Sequence, residues 1–205
     1  MSTPEHNNRA GIPCVILAGG QSRRFGSNKA FASIHGERLI DVLIQRIQHQ
    51  TSRPIAINAA ADSGFGDLSQ PILTDQVQGR LGPLAGIHAA MQWASQAGYD
   101  VVVTTPVDTP LLPENFVEHL VMAGTPSIAA FEGRLHPAHG AWPTRLSDRL
   151  AQTLANGLRA ARDWAEQCQA PACEFHDHSG QDPFFNINTQ DDLRALETAQ
   201  PVSPR

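Results

Sequence analysis

The chain has 205 residues, a formal net charge of −5 with histidine neutral, and 41% apolar residues. That length suits one α/β unit with a substantial core, and mild acidity excludes a general attraction to nucleic acid or to a membrane surface. No apolar run approaches the ~20 residues of a membrane span, and the polar residues 1–13 lack the apolar stretch of a signal peptide, so the chain reads as cytoplasmic.

Residues 1–13 are expected to form a flexible tail, residues 14–200 one folded unit, and residues 201–205 a disordered tail. Cys14-Val15-Ile16-Leu17 is a short apolar run, predicted to be a buried strand. It breaks into Ala18-Gly19-Gly20, followed by Ser22, Arg23, Arg24, Gly26 and Lys29. Adjacent glycines let the backbone turn sharply and leave its amides uncovered. Such amides can point at an anion, and Arg23, Arg24 and Lys29 add positive charge beside them. The stretch is a candidate polyphosphate cradle; an ordinary glycine-rich turn with solvated arginines is the alternative. It is not a P-loop, because Gly26 is followed by Ser27 and Asn28 before Lys29, and the G-x-G-x-x-G fingerprint is absent.

Leu39, Ile40, Leu43, Ile44 and Ile47 recur at helical spacing, with polar residues between them. Pro54–Asn58 and Ile72–Asp75 are predicted strands, each ending on a polar residue, and Gly82-Pro83-Leu84-Ala85-Gly86 leads into a further helix. Asp100–Thr105 is β-branched without alternation, as buried parallel strands require. Pro106-Val107-Asp108-Thr109-Pro110 follows at once. Further on come a short helix over Pro113–Met122, two strands around Glu132-Gly133, and helices over Leu146–Leu154 and Leu158–Trp164 split by Asn156-Gly157. Phe184–Asn188 reads as a brief strand, and Thr189 with Asp192 as a capping pair opening the last helix.

Strands and helices in alternation indicate a mostly parallel sheet, whose ligands sit beyond the carboxyl ends of its strands. Ala18–Lys29, Asn58, Asp75 and Asp108 all fall at those ends. Asp108, between two prolines, is either a turn aspartate bonding its own backbone or a ligand for Mg²⁺, an ion that takes few carboxylates alongside phosphate oxygens. Asn58 and Asp75 either cap turns or hydrogen-bond a base or ribose. Asn186 and Asn188 either cap loops or reach a metal or second substrate. Arg134 and His136 are surface residues or meet an anionic acceptor, and Trp93, Trp142 and Trp164 are expected to pack. Cys14, Cys168 and Cys173 form no disulfide framework or C-x-x-C pair, and Pro137 argues against a helix presenting His136 and His139 to zinc.

Leu17-Ala18-Gly19-Gly20 with Ser22, Arg24, Gly26 and Lys29 resembles the signature of nucleotidyltransferases, in detail that of the molybdenum cofactor guanylyltransferases. The likeness runs from Cys14 to Leu196 through Gly82–Gly86, Pro106–Pro110, His136-Pro137 and Phe185–Thr189. It implies a single Rossmann-like, three-layer fold of the nucleotide-diphospho-sugar transferase type over residues 14–200. It implies that Leu17, Ala18, Gly19, Gly20, Lys29, Asn58, Asp75 and Asp108 bind GTP and that Asp108 holds Mg²⁺. Arg24, Lys29 and Asp108 would serve catalysis, by offsetting and aligning phosphate charge. The implied partners are GTP and molybdopterin, with cofactor-delivery proteins or molybdoenzymes beyond them. Related cytidylyltransferases typically have L-A-A-G where this chain has Leu17-Ala18-Gly19-Gly20, and Gly20, without a methyl, is expected to leave room for the larger purine. Two positions depart from the family pattern: Asn28 stands where Asp is frequent, and Val107 where Cys is usual.

The implied reaction is transfer of GMP from GTP to the terminal phosphate of molybdopterin, with release of pyrophosphate. Two alternatives stay open on sequence: a CTP- or sugar-phosphate-dependent transferase of the same fold, and a non-catalytic GTP-binding or cofactor-chaperone module.

Overall fold

The computed structural model describes residues 11–19, 29–75, 82–176 and 181–199. β1 (Cys14–Leu17) opens the chain, and a short helical turn (Lys29–Phe31) leads into a hairpin of β2 (Ser33–Ile34) and β3 (Glu37–Arg38). Then follow α1 (Leu39–Gln48), β4 (Ile55–Asn58), β5 (Ile72–Leu73), α2 (Pro83–Gln96) and β6 (Val101–Pro106). The second half holds α3 (Phe116–Met122), β7 (Ser127–Phe131), β8 (Arg134–Pro143), α4 (Ser147–Ala155), α5 (Ala161–Gln167), β9 (Ala172–Phe175) and α6 (Gln190–Ala199).

Among the described residues the main sheet has seven strands in the order β5-β4-β1-β6-β8-β7-β9. β8 alone runs against its neighbours, as the hairpin with β7 requires. Along β1 the side chains alternate: Cys14 and Ile16 join the layer of α1 and α3, while Val15 and Leu17 join that of α2, α4 and α5. Covered on both faces, the sheet is the centre of a three-layer α/β structure, mostly parallel as expected. A third apolar cluster joins Ile34, Leu39 and Val42 to Ile187, Leu193 and Leu196 of the C-terminal helix. It clamps α6 over the hairpin. Trp142 and Trp164 are fully buried, in keeping with a packing role, and Trp93 packs partly buried beside them.

The structure departs from the sequence expectations at several points. Ile12 and Pro13, assigned to the tail, are tied into the fold: Val103 N–H donates to Pro13 O at 3.0 Å and the Thr51 hydroxyl to Ile12 O. The β2–β3 hairpin and β9 were not expected; each is too short to carry a period of its own. Phe184–Asn188 is a loop and not a strand. Its Ile187 N–H donates to Asp108 O at 2.9 Å rather than to a ladder partner. Thr189 and Asp192 do form the reciprocal cap: Thr189 N–H donates to the Asp192 carboxylate at 2.8 Å, and Asp192 N–H to the Thr189 hydroxyl at 3.1 Å. Asn188 N–H adds a further bond to the same carboxylate, and these backbone donors hold Asp192 below the usual carboxylate range. Among the described residues no helix is long and apolar enough to cross a membrane.

Candidate active site

The chain leaves β1 toward one edge of the sheet through β4 and β5, then returns to place β6 on the other side of β1. Between β1 and β6 the strand order reverses, which opens a crevice at their carboxyl ends. Val107 N–H donates to Leu17 O at 3.1 Å across that boundary, and Ala18 N–H donates to Asn58 O at 2.8 Å on the other side. Leu17 and Ala18 are therefore pinned from both flanks, and Gly19 emerges exposed beyond them. Gly20 and Arg24 lie outside the described residues.

On the β6 flank three side chains meet. The Lys29 ammonium donates to Asp108 Oδ2 at 3.0 Å and to Asn188 Oδ1 at 3.2 Å. These residues come from a turn after β1, a loop after β6 and a loop before α6. Among the described residues, the second carboxylate oxygen, Asp108 Oδ1, is buried without a hydrogen-bond partner, and so is Asn186 Oδ1. Buried acceptors left unpaired cost free energy unless a ligand completes them. Carboxylate and amide oxygens of this kind, one of them on the carboxylate that Lys29 contacts, are the donor type that suits a small hard cation carrying phosphate. Val107, the departure from the family pattern, is buried in the core beneath the loop, where a small apolar side chain fills space.

On the β4 flank, Asn58 is buried and committed to its neighbours. Its amide donates to Leu73 O at 3.1 Å and to Asp75 Oδ1 at 2.9 Å. Asp75 is itself exposed, so Asn58 aims it and Asp75 faces outward. Gly86 of α2 is the residue that sequence reasoning passed over as a contact. A Cβ there would strike Asn58 Oδ1 and come within 3.0 Å of Leu17 Cδ2, while a Cβ at Gly19 would sit 3.2 Å from the same Asn58 oxygen. Both glycines let α2 and the loop close around the asparagine. The only visible signal was the glycine spacing in Gly82-Pro83-Leu84-Ala85-Gly86.

His136 and His139 lie buried below the Asp108 loop, around Phe184. Burial pushes both imidazoles below their usual range, His139 to about 3, so both rings are neutral. Among the described residues, no group of three or more His, Cys, Asp or Glu side chains could hold a metal ion. Arg134 sits near the same edge, 3.7 Å from Asp182 and largely exposed. Cys14 and Cys173 are buried free thiols, and Cys168 is half-buried and free.

Residues 14–172 match the MobA-like NTP transferase domain. This chain belongs to that family. The chain is 40% identical over 199 residues to a molybdenum cofactor guanylyltransferase of Rhizobium leguminosarum bv. trifolii, covering 92% of this chain and 93% of that one. It is 37% identical over 188 residues to a protein of the same name from Cereibacter sphaeroides, covering 90% and 94%. In fold, this MobA-like chain is similar to molybdopterin-guanine dinucleotide biosynthesis protein A from Archaeoglobus fulgidus, with a TM-score of 0.72, 22% identity and coverage of 92% and 98%. It also resembles 2-C-methyl-D-erythritol 4-phosphate cytidylyltransferase from Thermus thermophilus, with a TM-score of 0.66, 17% identity and coverage of 93% and 98%. At those identities the structural likeness speaks for the fold alone.

Proposed function

We propose that this chain transfers GMP from GTP to the terminal phosphate of molybdopterin, forming the guanine dinucleotide and releasing pyrophosphate. The observation that carries the reading is the junction of Lys29, Asp108 and Asn188 at the switch crevice, in a chain whose curated relatives are named molybdenum cofactor guanylyltransferases.

In this reading an oxygen of the acceptor phosphate attacks the α-phosphorus of GTP. A new P–O–P bond forms, the α–β bond breaks, and pyrophosphate leaves with the electron pair. The protein's share is alignment and charge, since no covalent intermediate is needed. Leu17, Ala18, Gly19 and Gly20 would bind the nucleotide, and Asp75, aimed by Asn58, would meet the base or ribose. Lys29, oriented by Asp108 and Asn188, and Arg24 offset charge on the phosphates. Asp108, with Asn186 beside it, would hold Mg²⁺, which supplies further positive charge to the triphosphate when bound. Asn188 steers Lys29 and borders the acceptor. The enzyme would work in the cytoplasm and hand its product to a delivery protein or molybdoenzyme.

The test is pyrophosphate release from GTP, CTP and ATP with molybdopterin and Mg²⁺, with Asp108→Ala as control. Release with GTP alone, lost in the variant, supports the reading. Release with CTP would make the chain a cytidylyltransferase, and nucleotide binding without release would leave a binding module.

A further inference from the structure

β8 does not pair with β7 as a regular ladder. Ile128 lies opposite Gly140, but the next residue, Ala129, lies opposite His136, so Pro137, Ala138 and His139 bulge out of the pairing. Pro137 has no N–H to donate, which suits a bulge and not a ladder. The bulge is tied to β6 instead: the Thr104 hydroxyl donates to Ala138 O at 2.9 Å and accepts from Trp142 Nε1 at 3.0 Å.

This arrangement turns the His139 ring beneath the Asp108 loop. The Thr109 hydroxyl hydrogen-bonds Pro106 O at 3.0 Å and His139 Nε2 at 3.1 Å. Thr109 and His139 are 0% and 2% exposed. The same ring meets Phe184 at a centroid distance of 4.8 Å, and His136 meets that phenyl at 4.9 Å. Phe184 starts the segment that carries Asn186 and Asn188, and Ile187 N–H of that segment donates to Asp108 O. One bulge therefore touches both loops that converge on Lys29. Burial keeps the imidazole neutral, so it serves as a fixed hydrogen-bonding and packing group beneath the loop.

We propose that His139 is a positioning residue for guanylyl transfer, acting through Thr109 and Phe184 to hold the Asp108 loop and the Asn186–Asn188 segment in one geometry around Lys29. The inference rests on the reading of Asp108 as a group that works on the nucleotide. Loss of the Thr109 bond frees the loop by a fraction of an ångström, a displacement that costs turnover before it costs fold.

The experiment uses the full chain and compares Thr109→Val, Thr109→Ser, His139→Leu and Asp108→Asn. It reads thermal stability, Mn²⁺ binding with GTP by electron paramagnetic resonance, and kcat and KM for GTP. Thr109→Val is expected to lose about tenfold or more in kcat and severalfold in Mn²⁺ affinity, with KM for GTP within about twofold; Thr109→Ser is expected to match the parent. The combined Thr109→Val and His139→Leu variant is expected to lose no more than the worse single change, because both act in one chain of bonds. If Thr109→Val does not fold, His139→Leu decides by the same measures. Parental kcat and Mn²⁺ affinity in folded Thr109→Val, or equal losses in the Ser and Val variants, overturn the proposal. Inactive Asp108→Asn beside unaffected Thr109→Val overturns the positioning role alone, whereas fully active Asp108→Asn overturns the reading of Asp108 as well.

Discussion

Lys29 Nζ lies 3.0 Å from Asp108 Oδ2, although 79 positions separate the two in the chain. The pair is only slightly exposed, at 12% and 21% of the side chains, so it is firmer than a surface ion pair. Removing Lys29 takes this partner from the carboxylate, whereas without Asp108 the lysine keeps Asn188. Lys29→Met is expected to lower kcat by roughly 10²–10³, the cost of losing one donor aimed at transition-state charge. The variant should stay folded, as circular dichroism and steady-state kinetics together would establish. Unchanged kcat would remove Lys29 from the chemistry.

Asp75 faces outward while Asn58 holds it from below. A group that binds nucleotide without touching the transferred phosphoryl affects ground and transition states alike. Asp75→Ala is therefore expected to raise KM for GTP by about tenfold with kcat within about twofold. A fall in kcat at constant KM would move Asp75 from binding to chemistry.

Gly86 allows α2 to close on Asn58 and Leu17, so Gly86→Ala forces a methyl against a packed amide. Overpacking of this kind costs typically about 1–3 kcal/mol. The expected result is a lower midpoint in urea unfolding together with weaker GTP binding by calorimetry, because the amide that moves is the one aiming Asp75. A neutral variant would show that α2 can withdraw freely.

Set residue by residue against Leu17-Ala18-Gly19-Gly20, the L-A-A-G pattern carries its extra methyl at 19 and keeps the glycine at 20, so Gly19→Ala and not Gly20→Ala is the change that tests purine selection. If the smaller residue makes room for a purine, the ratio of GTP to CTP turnover should fall in the variant. Initial-rate competition between the two nucleotides measures it. A preserved ratio would place guanine selection elsewhere.

His139 is held by burial far below its ordinary value of 6.5, at about 3. Below pH ~6.5 the unfolded chain binds a proton there that the folded chain refuses, so stability rises with pH through this window. The contribution is complete above pH ~6.5 and is lost progressively toward pH ~3, at no more than about 1.4 kcal/mol per unit. Burial lowers His136 and His88 as well, and both push in the same direction. Urea unfolding at pH 7, 6 and 5 should show falling stability in the parent and a shallower fall in His139→Leu. Equal slopes would mean that the imidazole reaches solvent.

Much of the site was legible because local periodicity sets the strands and the crossover rule sets their direction. The unbroken Val101-Val102-Val103-Thr104-Thr105 run and the period of Leu39–Ile47 define a parallel sheet. Once that is known, Ala18, Gly19, Asn58, Asp75 and Asp108 must share one edge. Capping was legible too, since Thr189 and Asp192 interact within one turn. Phe184–Asn188 was misread because its apolar residues look like a strand, yet its backbone serves Asp108 and its phenyl ring serves two histidines.

By itself, then, the chain determined which residues reach the carboxyl edge, because that depends on spacings a few residues long. Tertiary structure decided which of them touch: Asn188 on Lys29, Asn58 on Asp75, and His139 on Thr109. Those contacts join segments whose separation carries no period, and they follow from packing and from the need of buried polar atoms for partners.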